Sequence, residues 1–276
     1  MLRVMLDHWP EYLIEAALLG MFMLSACCFG VVLGHPASRV VRKIPSPGAR
    51  RALMGVAMGV TAVGLIYSPW GRQSGAHMNP ATTLTFWSLG KVGGVDAAMY
   101  VVAQVTGGLA GVGLARVMLG GLVRHGSVNH VATIPGRFGA GWAWIVEVVI
   151  SFGLMIGVLW FSNYPRLAAW TGVLAGCLVA MFIVAVAPVS GMSMNPARSL
   201  ASAVPGRAMR WLWIYFTAPP LGMLLAAGVH GSGNVKCAKL CHLGHERCIF
   251  HCEYKAGNEV AAGASETQQT PRAGAR

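Results

Sequence analysis

The chain has 276 residues, 55% of them hydrophobic and only 11% charged, with a mean hydropathy of +0.58. A soluble domain carries about 25% charged residues, so this composition leaves little room for a soluble globular enzyme and points to a polytopic membrane protein. Lys and Arg outnumber Asp and Glu by 21 to 9, for a net charge of +12. The basic residues fall mostly between apolar runs, which suits contact with anionic lipid headgroups, and no basic run alternates with aromatics as a nucleic-acid surface requires.

A bilayer core of about 30 Å takes roughly 20 apolar residues as a helix. Six runs of that order lie at about 12–34, 51–69, 94–120, 140–162, 166–188 and 209–230. The first is too long and too weakly basic for a cleaved signal peptide and counts as a span. Between the first two, HPASRVVRKIPSPGARR reads as a basic, proline-rich loop. The expected organisation is a channel domain over 1–230, with repeats at about 11–120 and 140–230. A Cys/His-rich tail follows over 231–255, and then a disordered terminus over 256–276 that lacks apolar periodicity.

Two further segments, 77–90 and 193–204, are apolar but too short to cross. Each begins its helical pattern with Asn-Pro: asparagine is a strong N-cap, and proline suits the first helical position. About 12 residues at 1.5 Å each give about 18 Å, half a bilayer. SGAHMNPATTL (74–84) and SGMSMNPARSL (190–200) agree at seven of eleven positions. Each follows two spans and precedes a third, so with three crossings per copy the second copy enters the membrane inverted. Inverted repeats with broken helices mark a site at the repeat interface near the midplane. Backbone ends at that depth need protein or a water-filled cavity around them, so the pattern reads as a hydrated pore. Two helix N-termini meeting there, each carrying about +0.5 elementary charge, repel cations and orient passing water.

These paired motifs, Asn79-Pro80-Ala81 and Asn195-Pro196-Ala197-Arg198, resemble those of the major intrinsic protein family, the aquaporins and aquaglyceroporins. So do AQVTGG at 103–108, VEVVISFG at 146–153 and WLWIYFTAPPLG at 211–222. The likeness covers about 11–230. It implies an all-α membrane protein: an aquaporin-like bundle of six transmembrane helices plus two re-entrant half-helices, a pore in each protomer of a homotetramer, and multi-pass placement in the cell membrane with both termini cytoplasmic. It also implies passive conduction of water and small neutral solutes, without catalysis and without a cofactor.

The same resemblance implies roles for single residues. Asn79 and Asn195 cap the half-helices and donate to water. Arg198 forms the filter, with Ile183 and Met192 beside it and, in span two, a small residue between Gly55 and Gly59, taken as Gly59. Water-selective members commonly carry histidine at the Ile183 position, so this filter is more apolar than theirs, while Ser199, Ala203 and Tyr215-Phe216 keep to the water class. Glu147 and Glu15 support the loops that lead into the half-helices, although Glu15 lies five residues before Gly20, further than the family's spacing. His77 faces a vestibule. Glycerol, urea or ammonia remains the alternative cargo. The loop 35–51 carries Arg39, Arg42, Lys43, Arg50 and Arg51, which the family topology places outside, against the usual bias of basic residues.

The tail holds Cys237, Cys241, Cys248 and Cys252 as C-x3-C-x6-C-x3-C, with His242, His245 and His251 interspersed. Positions i and i+4 share a helix face, so a short helical hairpin with four converging thiols is expected. Zinc, an iron–sulfur centre, two disulfides or free thiols all fit that spacing. A membrane-anchored metal or redox sensor acting through this tail is the rival reading. A membrane enzyme finds no support, for there is no nucleophile–base pair and no cofactor loop.

Overall fold

The computed structural model describes residues 1–242 and 247–253; the predicted disorder of 256–276, and His245, lie outside them. In chain order the helices are α1 (Leu2–Gly34), α2 (Arg39–Lys43), α3 (Pro47–Tyr67), α4 (Pro69–Ser74), α5 (Pro80–Ser88), α6 (Gly94–Leu119), α7 (Gly121–Arg124), α8 (Gly139–Asn163), α9 (Thr171–Ser190), α10 (Pro196–Gly206) and α11 (Leu212–His230). Six of them, α1, α3, α6, α8, α9 and α11, are long and apolar enough to cross a membrane.

Local chemistry sets several of the boundaries. Ser38 and Ser46 cap α2 and α3, their hydroxyls accepting from the backbone N–H of Val40 (3.2 Å) and Ala49 (3.3 Å). Helix α1 starts ten residues before the apolar run because its polar first turns find partners. Tyr12 donates to Asp96 (2.6 Å), His8 lies 2.8 Å from the same carboxylate, and fully buried Glu11 accepts from Gln73 (2.9 Å). Satisfied this way, polar residues cost little at a helix end.

The bundle is built by pairing. Helix α1 packs on α6, α8 on α11, and α3 on α9. Each half-helix leans on the last span of both repeats: α5 on α11 and α6, α10 on α6 and α11. The glycines of span three are used inside the chain. Gly107 and Gly111 let α6 touch the backbone of α1 at Ala16 and Gly20, and Gly108 faces Ala197 and Ala201 of α10.

The tail departs from the expected helical hairpin. After α11 comes a 3₁₀ turn, Ser232–Asn234, and among the described residues 235–242 and 247–252 are irregular. Their backbone groups pair with the bundle instead of with a helix. The Lys236 N–H donates to the Asn163 side-chain oxygen (2.6 Å), the Leu240 N–H to the Gly75 carbonyl (3.2 Å) and the His251 N–H to the Lys91 carbonyl (3.0 Å). The Glu253 N–H closes the tail on itself at the Lys236 carbonyl (2.9 Å).

Candidate functional site

Helices α5 and α10 start at Asn79 and Asn195, and each start is capped as the sequence implies. Asn79 Oδ1 accepts from the Ala81 N–H (2.9 Å) and Asn195 Oδ1 from the Arg198 N–H (3.1 Å). The two caps are also cross-linked: Asn79 Nδ2 donates to the Met194 carbonyl and Asn195 Nδ2 to the Met78 carbonyl, both at 2.7 Å. Each amide has two N–H groups, and these bonds engage one on each. The tips therefore meet, one from each repeat.

The loops that deliver them are near copies. Ala76 and Met78 in one, Met192 and Met194 in the other, take positive φ between 49° and 54°. Side chains avoid that region at a cost of roughly 1–2 kcal/mol per residue, so something must hold the loops there. Glu147 accepts from the Ser190 hydroxyl (2.7 Å) and the N–H groups of Ser193 (2.9 Å) and Met194 (2.7 Å). Glu15 does the same for Ser74 (2.8 Å), His77 (3.0 Å) and Met78 (2.7 Å), and also accepts from Gln104 (2.8 Å). Both carboxylates are fully buried. Despite the unusual Glu15–Gly20 spacing, Glu15 takes donors that match those of Glu147. Sequence reasoning missed a third matched pair: the Tyr100 hydroxyl donates to the Ser74 carbonyl (2.7 Å) and the Tyr215 hydroxyl to that of Ser190 (2.5 Å).

A cavity of about 440 Å³ runs past both asparagines from the end of α1 at Gly34 to Leu240 of the tail. Arg198, Ile183, Met192 and His77 line it. Arg198 Nη1 donates to the Val131 carbonyl (2.9 Å), which fixes a charged group on the cavity wall. Gly59 does not line the cavity. A Cβ there would sit 2.6 Å from the Gly176 carbonyl, so Gly59 belongs to the α3–α9 seam, and so does Gly55 against Ala180. The cavity-facing stripe of α3 is Met54, Met58, Ala62 and Ile66. Arg51 Nε bonds to the Val184 carbonyl (2.9 Å) and Gly55 meets Ala180, so the stretch of α3 around Met54 runs beside the part of α9 that carries Ile183. The i, i+4 spacing of Met54 and Met58, offset from that of Gly55 and Gly59, was the available signal: small residues mark helix contacts, and the adjoining stripe is left for the lumen.

The fold and the family now coincide. Residues 6–230 match the family described as Major intrinsic protein. The chain belongs to the major intrinsic protein family. Aquaporin NIP1-4 of Oryza sativa subsp. japonica is 35% identical over 173 residues, 62% of this chain and 61% of that protein. Aquaporin NIP1-2 of Arabidopsis thaliana is 31% identical over 213 residues, 76% of this chain and 69% of that protein. This major intrinsic protein thus spans about three fifths of the rice relative's length. Among solved structures, the X-ray structure of the aquaglyceroporin from Plasmodium falciparum superposes with a TM-score of 0.66 at 16% identity, covering 81% of this chain and 95% of that one. At that identity the likeness speaks for the fold. Six apolar helices and this membership make the protein a multi-pass membrane protein.

The tail closes one end of the cavity and brings titratable groups together. Cys237, His242, Cys248 and Cys252 place one ligand atom each within 4.8 Å of one another. Three of the four predicted thiols are in this group. Cys241 is not: it is buried apart from them, and His242 stands in its place. Without a helix, the i, i+4 argument that paired Cys237 with Cys241 no longer applies. Hydrogen bonding to Cys248 and Cys252 holds the Cys237 thiol well above its ordinary value, and hydrogen bonds from Cys237 and Cys248 hold Cys252 well below it. Burial pushes the Lys239 ammonium down, against the attraction of the thiols. His77, on the cavity wall, is also tightly packed. Its Nε2 meets the Ala238 carbonyl at 2.8 Å, and Phe250 stacks on its ring at 5.3 Å.

Proposed function

We propose that the protein is a passive channel for water and small uncharged solutes, driven by osmotic or concentration gradients and excluding ions and protons. The observation that carries this reading is the meeting of two oppositely directed helix tips, cross-bonded through Asn79 and Asn195, on the wall of a cavity that runs past both. The peptide dipoles of α5 and α10 put positive potential there. The second amide hydrogens of the two asparagines hold a passing oxygen as acceptor, which interrupts a proton relay. Conduction of this kind calls for no turnover chemistry and no cofactor.

Arg198, Ile183, Met192 and Met54 form the selectivity filter in this reading, with Met54 in the place first given to Gly59. The family resemblance supports a homotetramer with both termini cytoplasmic, a topology that thiol labelling of cysteines placed in the 35–51 loop would test.

Proteoliposomes assayed by stopped-flow light scattering, as isolated and after chelator treatment, test the main claim. Faster osmotic shrinkage than empty vesicles is expected. No increase in either state overturns it, and faster equilibration of glycerol or urea than of water would make those solutes the principal cargo.

Two variants probe the filter. Met54→Ala widens it and raises glycerol permeation relative to water. Gly59→Ala leaves that ratio unchanged but lowers the melting temperature, because its Cβ meets the Gly176 carbonyl at 2.6 Å. The reverse pattern would return Gly59 to the filter. Arg198→Val removes a fixed cation. Even screened at an effective dielectric near 20, that charge opposes another at 4 Å by about 4 kcal/mol. Proton leak into vesicles loaded with a pH-sensitive dye should therefore rise by at least about tenfold; an unchanged leak would place the barrier elsewhere.

A further inference from the structure

The tail lies across the mouth of the cavity and is tied there at several points. Leu240 lines the end of the cavity. Ala238 and Phe250 are buried, the first hydrogen-bonded to and the second stacked on His77, two residues before the Asn79 tip. At the edge, Lys91 pairs with Glu253 (2.6 Å) and Arg247 with Glu11 (2.8 Å). Both arms of the tail, 235–242 and 247–253, take part: Val235, Ala238, Leu240 and Phe250 are buried in the hydrophobic core, while the backbone of 235–242 and 247–252 is irregular. A staple between the two arms of an irregular segment adds to this by cutting the chain entropy gained when the segment detaches.

The Cys/His group sits where such a staple would act, since Cys237 and His242 come from one arm and Cys248 and Cys252 from the other. Its spacing is informative. A tetrahedral ion with Zn–S of about 2.3 Å and Zn–N of about 2.0 Å sets its ligand atoms about 3.8 Å apart for two sulfurs and about 3.5 Å for sulfur and nitrogen. Cys237 Sγ lies 3.7 Å from Cys248 Sγ, and Cys252 Sγ lies 3.6 Å from His242 Nε2. A disulfide would need about 2.05 Å. A cluster of several irons and sulfides would hold its ligands further apart, and its common forms take four thiolates. Three thiolates and a neutral imidazole around a divalent ion leave one net negative charge. The Lys239 side chain, 1% exposed and donating from Nζ to the Arg247 carbonyl (2.5 Å) next to Cys248, offers a positive charge beside the group.

We propose that Cys237, His242, Cys248 and Cys252 bind one zinc ion, and that the metal clamps the tail as a plug over this mouth of the pore, so that loss of zinc opens the channel. The plug rests on the channel reading above; the metal site does not. Binding displaces the thiol protons and couples the metal to folding of the tail. The arms then close on His77 and the Gly75 carbonyl, which shields the lumen on its approach to Asn79.

The test uses the full chain, purified without a polyhistidine tag under reducing conditions. Elemental analysis should find about one zinc per chain, and a Cys248→Ser/Cys252→Ser variant should find almost none. Hydrogen exchange at the amides of Leu240 and His251 should accelerate when a chelator strips the ion and slow again when zinc chloride is returned. In proteoliposomes, chelation should raise water permeability at least about fivefold, and zinc should reverse it. Phe250→Ala, which keeps all four ligands, should bind zinc and yet leak as the stripped protein does. Absence of zinc and of any chelator effect on exchange overturns the metal site. Bound zinc with conducting vesicles whose permeability ignores chelator overturns the plug. Vesicles that never conduct, with zinc bound and exchange still zinc-dependent, overturn the plug together with the channel reading but leave the metal site standing.

Discussion

Gly107→Ala should yield no stable channel, while Gly113→Ala, six residues on in the same helix, should stabilise it slightly. Alanine in place of glycine ordinarily favours a helix by roughly 0.5–1 kcal/mol, and a Cβ at Gly113 meets nothing within 4 Å. At Gly107 the same atom would lie 2.0 Å from the Ala16 carbonyl oxygen and 2.5 Å from its Cα. Those are backbone atoms of α1 and cannot rotate away, so the two helices must separate along their length. Overpacking of a single methyl costs about 1–3 kcal/mol where side chains can adjust; here the obstacle is backbone. Separation also pulls Gln104 of α6 from Glu15 of α1, a 2.8 Å bond that helps hold the first loop. The expected result is a large loss of monodisperse protein on size-exclusion chromatography and no permeability from what survives. A Gly107→Ala protein that melts with the wild type would show that α1 and α6 do not pack this closely.

Glu147→Gln should cost nearly as much, through hydrogen bonding rather than volume. The carboxylate accepts on both oxygens, from Ser190 and Ser193 on one and Met194 on the other. An amide of equal size can present only one acceptor, so its NH₂ must face at least one N–H donor. Leaving a buried donor unpaired costs about 1–3 kcal/mol, more where the bond was charge-assisted. The loop it braces holds Met192 and Met194 at φ 49° and 54°, with nothing in their own preferences to keep them there. Once released, that loop no longer delivers Asn195 to the Met78 carbonyl. Water permeability per reconstituted protein should fall at least about tenfold, with a lower melting temperature. Wild-type values for both would mean that the loop is braced by something other than this carboxylate. Glu15→Gln should behave alike, because Glu15 takes the matching donors in the first repeat.

Much of the site could be read from residues in line. The two Asn-Pro starts located both half-helices, and the caps at Asn79 and Asn195 form as an N-cap rule requires. Glu15 and Glu147 stood out because an acid inside an apolar span must be satisfied. The filter was harder. Span two offers small and large residues in interleaved stripes, and only its packing against α9 shows which stripe is buried in the seam and which faces the lumen. The tail misled for a similar reason. C-x3-C fits a helix face, but the backbone there bonds to Asn163, Gly75 and Lys91, and no local pattern announces such partners.

The sequence by itself determined the class, the number of crossings, the inverted duplication and the two capped tips, because each follows from hydropathy over one segment or from the chemistry of neighbouring residues. Only the tertiary structure decided that Met54 rather than Gly59 lines the cavity, that Tyr100 and Tyr215 tie down matching carbonyls, and that His242 rather than Cys241 groups with the other three thiols. Those depend on which surfaces meet across distances of tens to hundreds of residues, and close packing between helices is set by shape, which a linear pattern does not encode.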